Sequence, residues 1–187
     1  MIVRKVFIYS FLWVVISCQE HQEELTSKQI VEAYFVALNN YNFEEISAYT
    51  SDNILRTEGE YVVTKNKVDL QRIFQWDSVF VPKYEILEIE EKDQAIVATI
   101  SKNCKRITFL HDTPMVYKTI IEVTDHKITK MKTDEYIEFD DAKWQKRRDM
   151  LVKWIDENHP ELNGFIHDQT IVGAQNYLKA IALYQTK

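Results

Sequence analysis

MVYKTIIEVTDHKITKMKTDEYIEF, residues 115–139, decides the fold of this chain. Met115–Thr124 and Lys127–Phe139 alternate apolar and polar side chains with a period of two, and the polar pair Asp125-His126 hinges them. That pattern describes antiparallel strands with one face buried. Immediately upstream, Tyr84–Glu91 and Gln94–Phe109 read as another long pair around a tight turn at Lys92-Asp93, and His111–Pro114 turns the chain into the next strand. Four long strands in succession make the second half of the domain a sheet.

The first half is helical. Thr26 and Gln29 have the spacing of a capping box, Leu25 and Ile30 that of a hydrophobic staple, and Ile30, Ala33, Tyr34, Ala37 and Leu38 follow at helical intervals. Asn39 and Asn40 end this helix, and a short one over Phe43–Tyr49 follows. Asn53–Thr57 and Glu60–Thr64 read as two small strands around Glu58-Gly59. Asn66 and Asp69 then cap a third helix carrying Leu70, Ile73, Phe74 and Trp76. After Asp141 the chain is helical again, with Trp144, Leu151, Trp154 and Ile155 on one side until His159-Pro160; a last helix spans Thr170–Tyr184. Helices this short need a packing surface, which the sheet or a partner subunit would supply.

The N-terminus has a different character. Arg4 and Lys5 precede an apolar run from Val6 to Ile16, and Val15-Ile16-Ser17-Cys18 closes it. The run is eleven residues, against the roughly 20 that a membrane-spanning helix needs. The closing tetrad resembles a bacterial lipobox, in which the cysteine thiolate receives a diacylglycerol and its freed amine can be acylated. That resemblance implies cleavage before Cys18 and lipid attachment there. It places the protein in the cell envelope, anchored at the outer membrane and facing the periplasm or the cell surface. Acidic residues behind Cys18, at Glu20, Glu23 and Glu24, resemble the display signal of some Gram-negative lipoproteins. Residues 1–17 are thus a leader, 18–24 a polar tether, 25–139 the α+β domain and 140–187 a C-terminal helical extension. With Cys18 acylated, Cys104 has no disulfide partner.

Helix, short helix, two small strands, helix and four long strands: this order, over roughly Leu25–Phe139, resembles the nuclear transport factor 2-like superfamily, which includes SnoaL-like cyclases, steroid isomerases and non-catalytic binding modules. The Tyr34 helix and Asp134-Glu135-Tyr136 on the last strand are the local features that carry it. The resemblance implies an α+β fold in which a strongly curved antiparallel sheet wraps the N-terminal helices as a cone, with two additional C-terminal helices. It implies an apolar pocket at the open end, with Tyr34, Trp76, Phe80, Arg106, Tyr117, Asp134 and Tyr136 as wall residues. Aromatic residues at these spacings are also ordinary core. A carboxylate such as Asp134 inside a cone would need a partner or a task.

Three functions are compatible with these residues. The first is a tethered binding module for a small apolar ligand or a partner segment. The second is a SnoaL-like isomerase, cyclase or dehydratase with Asp134 as base and Tyr117 or Tyr136 as hydroxyl donor, or with His111 as base. The third is an interaction module, where Trp144 and Trp154 on the C-terminal helices form a homodimer or docking face. The net charge of −6, or −8 without Arg4 and Lys5, repels phosphate backbones and argues against nucleic-acid binding. His21, His111, His126, His159 and His167 are scattered without metal-ligand spacing, and Gly59, Gly164 and Gly173 build no phosphate loop. No cofactor or metal is expected.

Overall fold

The computed structural model describes residues 24–187. The expected leader, the expected lipid attachment at Cys18 and the expected tether as far as Glu23 lie outside the described residues. Helix α1 (Ser27–Asn39) begins at the expected capping box: Thr26 accepts the Gln29 N–H at 3.2 Å, and the Gln29 side chain accepts the Thr26 N–H at 2.8 Å. Helix α2 (Phe43–Tyr49) is capped by Asn42. Strands β1 (Thr50–Glu58) and β2 (Tyr61–Thr64) follow, then α3 (Lys67–Ser78). Asn66 caps α3 through the Asp69 N–H at 2.8 Å, and the Asp69 carboxylate accepts from Lys65 N–H. Each such cap contributes about 1 kcal/mol to a helix end whose N–H groups would otherwise be unpaired.

Strands β3 (Lys83–Lys92), β4 (Ala95–Asn103), β5 (Met115–Thr124) and β6 (Lys127–Glu138) supply the long part of the sheet. The order is β2-β1-β6-β5-β4-β3, antiparallel at every step except β1–β6, which is parallel. Register shifts interrupt β3–β4 once and β5–β6 three times. Bulges of this kind bend and twist strands, which curls the sheet around α1. The concave face closes on one core of Ile30, Tyr34, Ile46, Ile54, Ile100 and Ile121, all essentially inaccessible.

One expected strand is interrupted. The alternation from Gln94 predicts strand as far as Phe109, but β4 stops at Asn103 and helix α4 (Lys105–His111) follows. Cys104 is extended and its Sγ accepts the Ile107 N–H at 3.4 Å, while Asn103 accepts from Cys104 N–H and the Thr108 hydroxyl. Ile107 and Leu110, three apart, both bury in a second core. Helical spacing there outweighs a strand pattern that has no further partner to pair with.

The second core is what the C-terminal extension packs on. Helix α5 (Asp141–Asn158), a short 3-10 turn at Pro160–Leu162 and helix α6 (Ile171–Gln185) bury Leu151, Ile155, Phe165 and Tyr177 against Phe80 and α4. The extension therefore covers α4 and the end of α3. The stripe of tryptophans is spent inside the chain: Trp144 packs on Phe139, and Trp154 on His159 and Tyr184. Asp112 joins α4 to α5 by ion pairs to Lys143 and Arg147. Hydrogen bonds from those two cations draw its carboxyl down to about 2. No helix among the described residues is long and apolar enough to cross a membrane.

Candidate functional site

Period-two alternation sends Arg56 and Glu58 after Ile54 on β1, Lys102 after Ile100 on β4, and Tyr117 and Thr119 before Ile121 on β5 to the concave side. They line two adjoining hollows. An inner chamber of about 90 Å³ lies among Tyr34, Arg56, Tyr84, Tyr117 and Met131. An outer one of about 280 Å³ is walled by Leu38, Leu70, Phe74 and Trp76, with Asp77, Lys102 and Arg106 at its polar side. Arg56, Glu58 and Tyr84 belong to both walls. The cone is thus partly filled by side chains and partly open.

Asp77 is the carboxylate at the centre. It sits on the last turn of α3, 8% exposed, and its Oδ2 accepts from the Tyr84 hydroxyl at 2.7 Å and from Lys102 Nζ at 2.8 Å. Burial alone would raise its pKa, but the Lys102 charge and the two hydrogen bonds outweigh burial and hold it below the ordinary value. It is ionised at neutral pH. Tyr84 is itself held in place: its backbone N–H donates to Asn39 Oδ1 and its carbonyl accepts from Asn39 Nδ2, each at 2.8 Å, which ties β3 to the end of α1. Burial, and then the Asp77 charge, push the Tyr84 phenol well up; burial raises Tyr34 and Tyr117 as well. All three stay neutral hydroxyls.

Arg56 brings a positive charge into this ring of phenols. Burial works against its charge, yet Tyr34, Tyr84, Tyr117 and Asp77 outweigh that and keep it protonated. Arg106, from the first turn of α4, lies over Trp76 at 4.6 Å, Phe80 at 5.3 Å and Trp144 at 5.5 Å. Such stacking holds a guanidinium through the ring quadrupoles without a carboxylate. Trp76 Nε1 and Arg106 Nε are both sealed from solvent and have no hydrogen-bond partner among the described residues.

The expected wall residues divide. Tyr34 and Tyr117 line the inner chamber, Trp76 and Arg106 the outer one. Phe80 does not face the cone: it is completely buried in the second core, between Trp76 and Tyr177. Tyr136 sits at the rim, donating its hydroxyl to Glu58 at 2.7 Å. Asp134 is corrected as a pocket carboxylate, because it is exposed and paired with Lys132 at 2.7 Å. Alternation along β6 is broken by the bulges beside Thr133 and Tyr136, so strand parity misplaces it.

His111 is corrected as a base over the cone mouth. It is 4% exposed, its Nε2 accepts the Asp140 N–H at 2.7 Å, and its Nδ1 lies 2.9 Å from the Thr113 carbonyl. An accepting Nε2 puts the ring proton on Nδ1, so both nitrogens serve the backbone. Among the described residues no three His, Cys, Asp or Glu side chains gather to hold a metal.

Sequence reasoning missed Arg56, Asp77, Tyr84 and Lys102. Lys102 and Arg56 were accessible to it, as charged residues that continue the buried face of two alternating strands: Ile100 then Lys102, Ile54 then Arg56. Asp77 had only its place after the apolar run Ile73-Phe74-Gln75-Trp76 as a signal.

No protein-family model matches this chain, and no curated protein sequence does. Solved structures do resemble it. A nuclear transport factor 2-like protein of unknown function from Cytophaga hutchinsonii shares 13% identity over 62% of this chain and 93% of its own, with a TM-score of 0.50. A proposed ketosteroid isomerase from Kribbella flavida shares 15% identity over 61% and 79%, with a TM-score of 0.51. An uncharacterised cystatin-fold protein from Novosphingobium aromaticivorans shares 12% over 59% and 99%, also at 0.51. The chain has the nuclear transport factor 2-like cone fold. The likeness at these identities is one of fold, and a fold of this kind hosts many functions.

Proposed function

We propose that this chain is an extracytoplasmic binding module, tethered to a membrane through a lipid on Cys18, whose cone takes a small apolar or amphipathic ligand. The observation that carries this reading is the outer chamber: about 280 Å³, walled by aliphatic and aromatic side chains together with the charged Arg56, Glu58, Asp77, Lys102 and Arg106. Small-molecule sites have this composition, apolar for affinity and sparingly polar for orientation. Lipid attachment suits capture near a membrane, and several acyl chains make it stable. Native mass spectrometry of the mature protein from its own membranes tests both parts. The expected result is a diacylated or triacylated N-terminal cysteine and a retained small molecule. An unmodified chain refutes the anchor, and a bare chain that binds no apolar probe refutes the binding role. Cys18→Ala should move the protein from the membrane fraction to the soluble one.

A second reading rests on one feature of Asp77. Both of its hydrogen bonds fall on Oδ2, which leaves Oδ1 without a partner among the described residues. An isomerase or cyclase of the SnoaL-like kind would use that oxygen as base, beside the Tyr84 hydroxyl. Its lowered pKa makes it a weak base, which favours binding over proton abstraction. Enolisable ketone substrates turned over by the wild type and not by Asp77→Asn would reverse that preference.

A further inference from the structure

The outer chamber holds three cations, Arg56, Lys102 and Arg106, against two carboxylates, Asp77 and Glu58. Lys102 is committed to Asp77, and Glu58 accepts from Tyr136 at the rim. Arg56 makes no ion pair or side-chain hydrogen bond with any described residue, although it lines both hollows. Arg56 is half-buried, so water is left to satisfy its guanidinium donors, and a ligand's acceptor can take water's place. Close by, Trp76 Nε1 and Arg106 Nε are donors sealed from solvent with no acceptor among the described residues. Native structures pair the great majority of such sealed groups, so these two donors, beside a guanidinium that no side chain of the described residues engages, ask for an acceptor from outside the chain.

Resting on the binding reading above, we propose that the ligand is an amphipathic monocarboxylate, whose apolar body lies against Phe74, Leu70 and Leu38 and whose carboxylate meets Arg56. The excess charge of the chamber is a single positive one, which one carboxylate neutralises and a dianion overshoots. A guanidinium fork matches a carboxylate with two parallel hydrogen bonds. The volume limits the ligand to small aryl or cycloalkyl acids and excludes bulky lipids or peptides.

The test uses matched pairs that differ only in the acid group: benzoate with benzyl alcohol, 1-naphthoate with 1-naphthalenemethanol, and cyclohexanecarboxylate with cyclohexanemethanol. Each is titrated by calorimetry into the purified full chain at pH 7.5. The expected result is that the acid binds about tenfold or more tightly than its alcohol in at least one pair, the factor a charge-assisted bidentate contact supplies. Arg56→Gln should bring acid binding down to the level of the matched alcohol in the same variant, while Arg56→Lys keeps part of the advantage. Circular dichroism checks that each variant is folded; should Arg56→Gln unfold, the wild-type pairs and Arg56→Lys decide. Alcohols binding as tightly as acids in every pair would overturn the carboxylate and leave the binding cone standing. Acid preference that survives in Arg56→Gln overturns the assignment to Arg56. No binding by either member of any pair overturns this proposal and weighs against the cone as a binding site.

Discussion

Lys102→Met removes the ion-pair partner of Asp77 while preserving the length and apolar stem of the side chain. The pair is 2.8 Å long, with the Lys102 and Asp77 side chains 19% and 11% exposed. Breaking a buried ion pair from one side costs about 3–5 kcal/mol, because the remaining charge has lost both water and partner. Tyr84 still donates to Asp77, so the low end, about 3 kcal/mol, is expected. For a chain of this size that corresponds to a melting temperature roughly 6–12 °C lower.

The pH dependence is more diagnostic. In the wild type the Asp77 pKa is depressed below its ordinary value of 3.8, so its contribution to stability is present above that value and is lost as pH falls through the folded pKa. In the variant the largest cause, burial, is no longer outweighed by the Lys102 charge, and the folded pKa rises above the ordinary one. Its protonated form then favours folding, a contribution present at low pH and lost as pH rises through the raised pKa. The stability gap between the two proteins should therefore widen from about pH 4 upwards and narrow under acid. Urea denaturation between about pH 3.5 and 8 measures it. A gap below about 1 kcal/mol, or one that does not change with pH, would refute the account of Asp77 as a buried, ionised carboxylate. Adding Asp77→Asn to Lys102→Met should recover most of the loss, since neither member of the pair is then left behind as an uncompensated charge.

Asp134→Asn should leave the melting temperature and any ligand binding unchanged, because the carboxylate is exposed and meets only Lys132; altered binding would return it to the site. His111→Ala should destabilise the chain by about 1–3 kcal/mol in urea, since the Asp140 N–H at the start of α5 loses its acceptor. The same variant should keep its ligand, as the ring stands outside the cone walls. Gly173→Ala should cost about 1–3 kcal/mol or more, because a Cβ there would collide with the Asp168 backbone carbonyl as well as with its side chain; an unchanged denaturation midpoint would contradict that packing.

Most elements were legible because their signals are local. The Thr26–Gln29 capping box, the Asn66 cap and the period-two runs of β5 and β6 act within a few residues, and the structure keeps each where its pattern lies. The end of β4 was not legible, since whether Ile107 and Leu110 continue a strand or form a helix depends on a second core supplied by residues more than 40 positions downstream, Leu151 and Ile155 among them. Asp134 was misplaced for a related reason: bulges in β6 change which side a residue takes, and they arise from pairing with β5.

By itself the sequence determined the α+β character, the order of the elements other than α4 and the expectation of a lipid-modified Cys18, because periodicity, caps and a short N-terminal motif are written in neighbouring residues. Only the tertiary structure decided which charges meet. Asp77 and Lys102 are 25 positions apart and become partners because the fold sets the last turn of α3 beside the end of β4. The same closure puts Arg56 in a chamber with Asp77 and Glu58 but in an ion pair with neither. Burial and charge pairing are sums over groups from distant segments, and folding alone brings those groups within range of one another.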